Sequence, residues 1–201
     1  MPPKVKITKE DILQAAMQIV RIGGAQAINA RTIASMLGCS TQPVFSNFAN
    51  MEELSRAVVC CAKERYRWYM QQELDRDKYP PYKASGMAYL RFAKEEKELF
   101  KLLFMCDRSG ENMSEVSELD EEMYAMVRQN TGLSREEAQL FHLEVWAFVH
   151  GIAAMFATGF VDLPWELVER MLTDCYQGLR KQYGMEETHG CDQNREADET
   201  I

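Results

Sequence analysis

Apolar residues recur every three or four positions along most of this 201-residue chain, a spacing typical of amphipathic helices. Residues 12–20 follow this spacing, with Thr8 in position to cap the start of a helix and Gly23 and Gly24 in position to end it. No run alternates apolar and polar residues in the way that a half-buried strand does. The pattern therefore predicts an all-α protein.

Two short helices separated by a tight turn are predicted between residues 30 and 49. Ile33 and Leu37 lie one helical turn apart on an apolar stripe, and Gly38 follows where a left-handed residue ends a helix. Ser40 is placed to cap the second helix, and Pro43 suits that helix's first turn.

The second short helix is expected to have an apolar inner face and a polar outer face. We expect its apolar residues to point inward: Val44, Phe45 and Phe48. Its small polar residues are then left facing outward: Thr41, Gln42, Ser46 and Asn47. Such a helix suits insertion into a DNA major groove, although an ordinary helical hairpin has the same pattern.

Further helices are predicted after this pair. A long helix capped by Asn50 runs from about residue 51 into the seventies, and Pro80 and Pro81 mark the start of a second domain. The later helices are expected at about 82–92, 97–104, 115–129, 134–159 and 164–183, with a polar loop at 107–112. From residue 184 the chain is polar and acidic, and a disordered tail is expected over 184–201.

The N-terminal part of the chain resembles the tetracycline-repressor (TetR) family of bacterial transcription regulators. The resemblance covers residues 6–66 and is carried by Ile-Leu-Gln-Ala-Ala at 12–16, Thr-Ile-Ala-Ser-Met-Leu-Gly-Cys-Ser at 32–40, Val-Phe-Ser-Asn-Phe at 44–48 and Glu-Glu-Leu at 52–54. It implies an all-helical homodimer whose N-terminal three-helix domain binds operator DNA. A long helix would join that domain to a C-terminal domain, residues 79–183, which binds a small inducer and forms the dimer.

The resemblance and the predicted outer face together give a set of candidate DNA contacts on a near-palindromic operator. Those expected to touch bases or phosphates are Lys4, Lys6, Arg31, Thr32, Ser40, Thr41, Gln42, Ser46 and Asn47. Residues 1–67 carry nine basic and five acidic residues, net +4, on a chain whose net charge is −8. A basic N-terminal region attached to an acidic remainder of the chain is consistent with a DNA-binding protein.

The last two predicted helices are candidates for the dimer interface, which the family builds as a four-helix bundle. The expected interface residues are Gly151, Ala154, Ala157, Trp165, Val168 and Leu172. The segment around Trp146, His150 and Gly151 also resembles a Trp-His-Gly pattern of one TetR subgroup. An intramolecular core helix would explain the apolar content equally, but not so many small residues beside large ones.

A small, largely apolar inducer is expected among the aromatic residues of the second domain. The candidate ligand contacts are Phe92, Phe104, Tyr124, Phe141, Trp146 and His150, and each of them is also a plausible core residue. We expect no cofactor and no metal, since the six cysteines form no C-x-x-C pair and no zinc spacing.

Other function classes are weighed against a ligand-responsive repressor. No nucleophile–base pair and no Gly-rich phosphate loop argues for an enzyme. A helical dimeric interaction protein without specific DNA binding remains an alternative, favoured by Ser46, Asn47, Met51 and the overall acidity. The N-terminus lacks the apolar region of a signal peptide, and polar residues interrupt the apolar stretch 140–161, so a cytoplasmic protein without a membrane span is expected.

Overall fold

The computed structural model describes residues 7–106 and 117–185, with the backbone alone described for residues 117–120. Every regular element within these ranges is helical, which confirms the all-α prediction. The helices, in chain order, are α1 (Lys9–Gly23), α2 (Ala30–Leu37), α3 (Gln42–Asn47), α4 (Met51–Asp75), α5 (Pro81–Glu95), α6 (Lys97–Phe104), α7 (Ser117–Thr131), α8 (Arg135–Thr158) and α9 (Trp165–Gln182). A short 3-10 turn, Ala25–Ala27, joins α1 to α2.

Some sequence predictions lie outside the described residues. These are the basic arm with Lys4 and Lys6, the polar loop at 107–112, and the tail from residue 186 onward.

Helix ends follow the capping signals in the sequence. Thr8 and Asp11 form a reciprocal capping box at the start of α1, and Ser134 and Glu137 form one at the start of α8. Gly38 ends α2 in the left-handed conformation, at φ 63°. These local signals therefore predicted the helix boundaries to within a few residues.

The start of α3 differs from the prediction. Ser40 caps nothing there, because the residue that precedes the helix is Thr41, which already has helical backbone angles and makes no side-chain cap. A capping residue normally has extended backbone angles. Pro43 in the first turn has no N–H, so one of the donors that a cap would satisfy is missing.

The orientation of Phe45 also differs from the prediction. Val44 and Phe48 are buried in the core, at 1% and 2% exposure, and they anchor α3. Phe45 is instead 54% exposed. Successive residues on a helix are about 100° apart, so the side chain that follows Val44 turns away from the core.

A continuous apolar core joins the N-terminal helices to those that follow. Ile12 of α1 and Leu54 of α4 belong to the same buried cluster as Phe92 of α5, Phe100 of α6 and Phe156 of α8. A smaller cluster, around Tyr82, lies between α5, α7 and α8. The first helix of the chain is thus in contact with the part of the molecule that contains the expected ligand residues.

Within the described chain, α8 is the one helix that is long and apolar enough to span a membrane by length and composition. The core helix of a soluble protein passes the same test, and α8 packs Phe141, Val149, Ile152 and Phe156 into the interior. Only 33% of its most apolar window is buried in the single chain. Among the described residues, part of the apolar surface of α8 is therefore left without a packing partner.

Candidate functional site

The outer face of α3 presents Gln42 and Phe45, which lie one turn apart and are both exposed. The Ser46 hydroxyl donates to the carbonyl of Gln42 at 2.9 Å, and the Asn47 amide donates to the carbonyl of Pro43 at 2.8 Å. The Gln42 side chain has no hydrogen-bond partner in the described chain. Ser40 is exposed and Thr41 half-buried in the turn that precedes this face.

Thr32 is part of the cap of α2. Its hydroxyl accepts from the backbone N–H of Asn29 at 3.1 Å and donates to the carbonyl of Ala27 at 2.9 Å. That hydroxyl is therefore already hydrogen-bonded inside the protein, whereas the sequence predicts a phosphate contact for it. Arg31, next to it, is exposed and forms no ion pair within the described residues.

Aromatic side chains from four helices meet in one group, which we call the aromatic cluster. Its members are Tyr66 of α4, Tyr89 and Phe92 of α5, Phe100 and Phe104 of α6, and Trp146 and His150 of α8. Tyr66 and Tyr89 each contact the Phe104 ring, with centroids 5.3 and 4.9 Å apart. The rings of Trp146 and His150 are stacked, at 4.8 Å and 22°. This packing couples α4, α5, α6 and α8.

The aromatic cluster has a buried base and an accessible side. Phe92 and Phe100 are fully buried, Phe104 and His150 are half-buried, and Trp146 is 40% exposed. An apolar molecule that binds here would therefore contact the indole and imidazole first. Apolar surroundings with few polar groups are typical of small-molecule sites.

A tyrosine–histidine pair provides the polar group of the aromatic cluster. The Tyr89 hydroxyl and His150 Nδ1 are 2.8 Å apart. Burial raises the pKa of Tyr89 and lowers the pKa of His150, so both side chains are neutral at pH 7. Because neither side chain is charged, the pair is suited to hydrogen-bond a neutral polar group of a ligand.

The expected ligand residues fall into two groups. The aromatic cluster brings together Phe92, Phe104, Trp146 and His150, whereas Tyr124 and Phe141 lie in the smaller cluster around Tyr82. The prediction that all six line one site is thus corrected, because α7 and the first half of α8 pack a separate core. Tyr66 and Tyr89 also belong to the aromatic cluster, although they are not among the residues predicted from the sequence. The spacing of three residues between Tyr89 and Phe92 places both on one helix face and is the signal that identifies Tyr89.

The smaller cluster contains a second tyrosine–histidine pair between α5 and α8. The Tyr82 hydroxyl and His142 Nδ1 are 2.9 Å apart, and the Tyr124 ring contacts His142 edge-on, with centroids 5.5 Å apart. Burial lowers the pKa of His142 to about 4. The neutral imidazole is thus a structural group that ties the two helices together.

The half-buried His142 predicts a pH dependence of stability. Its pKa is about 4 in the folded protein against 6.5 for an unperturbed histidine, so below pH 6.5 the unfolded state takes up the proton first. Stability from His142 is then lost as the pH falls toward 4, by about 2 kcal/mol between pH 7.5 and 5. Urea unfolding of wild type and His142→Gln at these two pH values measures it. An equal loss in both proteins would contradict the prediction.

Glu96, between α5 and α6, binds two arginines from the N-terminal half. Arg21 of α1 donates to both of its carboxylate oxygens, at 2.7 and 3.0 Å, and Arg65 of α4 donates to one, at 3.0 Å. Burial alone would raise the pKa of Glu96, but the hydrogen bonds from the two arginines outweigh it and hold the pKa below its usual range. Glu96 is therefore charged at neutral pH although its side chain is only 8% exposed.

The same residue is joined to the aromatic cluster through its backbone. The Glu96 N–H donates to the carbonyl of Phe92, and the Phe100 N–H donates to the carbonyl of Glu96, both at 2.8 Å. Arg65 also lies over the rings of Trp68 and Tyr69, at 4.3 and 5.1 Å from their centroids. These backbone hydrogen bonds thus connect Phe92 and Phe100 to the residue whose carboxylate binds Arg21 of α1.

The face that α8 leaves exposed or half-buried among the described residues carries apolar side chains about one turn apart: Leu140, Leu143, Ala147, Gly151 and Ala154. Glu144 lies on the same face, and its carboxylate accepts a hydrogen bond from the Tyr183 hydroxyl at 3.3 Å. Leu140 and Leu143 are 51% and 56% exposed. A Cβ built on Gly151 meets no described atom within 4 Å. We call this set the α8 face.

Only part of the expected interface lies on this face. Gly151 and Ala154 do, but Ala157 and Val168 are 1% and 0% exposed and Leu172 is 7% exposed. These three are corrected to core residues, because α8 and α9 bury them against their own chain. Trp165 is half-buried and packs its ring edge against Phe156, with centroids 6.0 Å apart.

The described residues hold no group of three or more His, Cys, Asp or Glu side chains placed to bind a metal ion. Burial raises the pKa of the Cys61 and Cys175 thiols, which makes these two poor nucleophiles at neutral pH.

Comparisons with known proteins point to one family. Residues 82–175 match the family model of the tetracyclin repressor-like C-terminal domain. The search of curated proteins returns no match. The chain is similar to a protein with unknown function from Rhodococcus sp. RHA1, with TM-score 0.68, 19% identity and coverage of 90% of this chain and 98% of that one. It is also similar to a TetR family protein from Vibrio parahaemolyticus, with TM-score 0.57, 19% identity and coverage of 84% and 96%. At these identities the two structures show a shared fold.

Proposed function

We propose that this chain is a transcriptional repressor of the tetracycline-repressor type, which a small apolar inducer releases from operator DNA. The match of residues 82–175 to the tetracyclin repressor-like C-terminal domain supports the proposal. The observation that carries the proposal is the connection from the aromatic cluster through Glu96 to Arg21 of α1. Such a connection gives a ligand in the C-terminal domain, residues 79–183, a physical route to the N-terminal domain, residues 6–66. The protein would act in the cytoplasm, without a cofactor.

The outer face of α3 is the proposed DNA-reading surface. Val44 and Phe48 fix the helix on the core, which leaves Gln42 free for a base edge. Arg31, without an ion-pair partner in the described chain, is available for a phosphate. Lys9 and Arg56, by contrast, are paired with Glu53 and Glu52. Phosphate contacts are therefore few, and Lys4, Lys6 and the turn residues Ser40 and Thr41 would add to them.

A homodimer through the α8 face is part of the proposal. The face combines exposed leucines at one end with Ala147, Gly151 and Ala154, whose small side chains let a second helix approach closely. Glycine inside a helix costs about 1 kcal/mol relative to alanine, and Gly151 has open space around it in the single chain. The close approach of a partner helix, which a larger side chain would prevent, would explain why a glycine is present at this position.

A competing proposal is a dimeric interaction protein that does not read DNA. It is favoured by Ser46 and Asn47, which bind backbone carbonyls of their own helix, and by the net charge of −8. A gel shift with genomic fragments at one fixed salt concentration separates the two. Selective binding of a few fragments is expected, whereas equal affinity for all fragments would reject the repressor.

Gln42→Ala should reduce base preference while leaving the fold intact. Gln42 is exposed and has no partner within the described chain, so its loss has little effect on stability. If Gln42 binds adenine in a bidentate manner, the variant loses about 1–3 kcal/mol of discrimination at one base pair of each half-site. Binding of the selected fragment and of single-base variants of it measures the loss. An unchanged preference would exclude Gln42 from readout.

The inducer proposal predicts reciprocal effects of ligand and DNA. A compound that raises the thermal stability of the protein is titrated by calorimetry with and without the selected fragment. Operator must weaken the binding of the compound by the same factor by which the compound weakens the binding of operator, typically about 5–150-fold. Phe104→Ala, at the accessible side of the aromatic cluster, should weaken the compound in both titrations. Equal affinity with and without operator would show that the compound is no inducer.

A further inference from the structure

We propose that α3 reads its operator largely through apolar contact, with the Phe45 ring placed against the C5-methyl group of a thymine in each half-site. This inference rests on the proposed function and specifies the base chemistry of the same surface. It starts from an exposed aromatic side chain on a surface that was expected to be polar.

The position of Phe45 allows its ring to contact DNA bases and is inconsistent with a role in the core. Its ring is 54% exposed, while Val44 and Phe48, on either side, are 1% and 2% exposed and already anchor the helix. Phe45 lies one turn after Gln42, so both side chains point from the same face of α3. A helix that places Gln42 at base edges therefore brings the Phe45 ring into the same groove.

The polar side chains of the same region are mostly engaged elsewhere. Ser46 donates to the carbonyl of Gln42, Asn47 donates to the carbonyl of Pro43, and the Thr32 hydroxyl binds the backbone of the α1–α2 connection. In the described part of α3, this leaves Gln42 as the exposed polar side chain without a partner and Phe45 as the exposed apolar one.

These two side chains suit adjacent A·T pairs. In the major groove a glutamine amide matches the N6 and N7 atoms of adenine, and an apolar side chain matches the C5-methyl group of thymine, which adenine, guanine and unmodified cytosine lack. Phenylalanine has no hydroxyl with which to bind a phosphate, so its contribution to affinity is burial of apolar surface. Loss of one buried methyl group corresponds to about a fourfold loss of affinity.

Uracil-containing DNA tests the inference, because deoxyuridine differs from thymidine only by the missing methyl group. The full chain first selects binding sites from a randomised duplex library at fixed salt. The selected duplex is then synthesised with deoxyuridine at one thymine position of each half-site at a time. At the contacted thymine, we expect wild type to lose about fourfold in affinity per methyl removed.

Two variants identify the side chain that senses the methyl group. Phe45→Ala should bind the thymine duplex more weakly and lose the difference between thymine and uracil, whereas Gln42→Ala should keep that difference. Phe45→Leu, which retains an apolar side chain, should keep part of it. Circular dichroism checks that each variant folds.

Wild-type binding that is indifferent to uracil at every position would overturn the inference, and so would equal sensitivity in wild type and Phe45→Ala. Both results leave a selective DNA-binding protein and thus the proposed function intact. If the library yields no selected sequence at all, the proposed function itself fails, and the inference fails with it.

Discussion

A charge added at Gly151, in the middle of the α8 face, is expected to convert the protein to a monomer and to abolish tight operator binding. In Gly151→Glu, the new side chain points from the middle of α8 toward open space in the single chain. Replacing a helical glycine should stabilise the isolated protomer, by about 1 kcal/mol at most. In a dimer built on the α8 face, the same carboxylate would be buried without a partner, at a cost of several kcal/mol. The variant thus separates folding from assembly.

The loss of operator affinity follows because a monomer has only one N-terminal DNA-binding domain. Two half-sites one helical turn apart need two joined N-terminal domains, and a monomer loses the gain from simultaneous binding, about 10²–10⁴-fold in affinity. Sedimentation at micromolar concentration and a gel shift measure the two effects, with Ala125→Glu on the exposed side of α7 as the matched control. A Gly151→Glu protein that still sediments as a dimer would reject this interface.

Helix boundaries could be predicted because their signals are local. Thr8 and Ser134 each cap a helix through a partner three residues along the chain, and Gly38 ends α2 by its own backbone conformation. None of these features depends on how the helices pack. The sequence alone therefore predicts where α1, α2 and α8 begin or end.

The direction in which side chains point was harder to predict. Helix α3 has six residues, too few for an apolar period to show which of Val44 and Phe45 is buried. In α9, Val168 and Leu172 have the spacing of an interface stripe, but the same spacing serves packing against the helix's own chain. Periodicity identifies a buried face without identifying the partner that buries it.

The candidate site could be predicted only in part, for a related reason. The residue types of Phe104 and Trp146 predict that they lie near a ligand, and both side chains belong to the aromatic cluster. Glu96 gave no signal, because its ion pair with Arg21 joins residues 75 positions apart and its sequence neighbours are other charged residues. Contacts of this kind depend on the tertiary fold.

Glu96→Gln is expected to lower stability and to uncouple the aromatic cluster from α1. The amide keeps the shape of the side chain but leaves Arg21 and Arg65 without the charge that they share. Breaking a buried ion pair by changing one partner costs about 3–5 kcal/mol. Both arginine side chains are about one-third exposed, so we expect a loss of about 2–4 kcal/mol here. Urea unfolding at pH 7 measures it, with Glu52→Gln, in the exposed pair with Arg56, as the matched control; the control should change stability by less than about 0.5 kcal/mol.

Two further measurements distinguish a coupling role for Glu96 from a merely stabilising one. The pKa of Glu96 is lowered in the folded protein, so its contribution to stability is present above the unfolded value of about 4.5 and is lost as the pH falls through the folded pKa. The difference in stability between wild type and Glu96→Gln should therefore shrink below pH 4.5. In the calorimetric titrations, a compound that weakens operator binding by wild type should do so far less in Glu96→Gln, because the connection between Phe92, Phe100 and Arg21 no longer carries a charge. If the variant is less stable but responds to the compound as wild type does, Glu96 only stabilises the fold, and the inducer acts on α1 by another route.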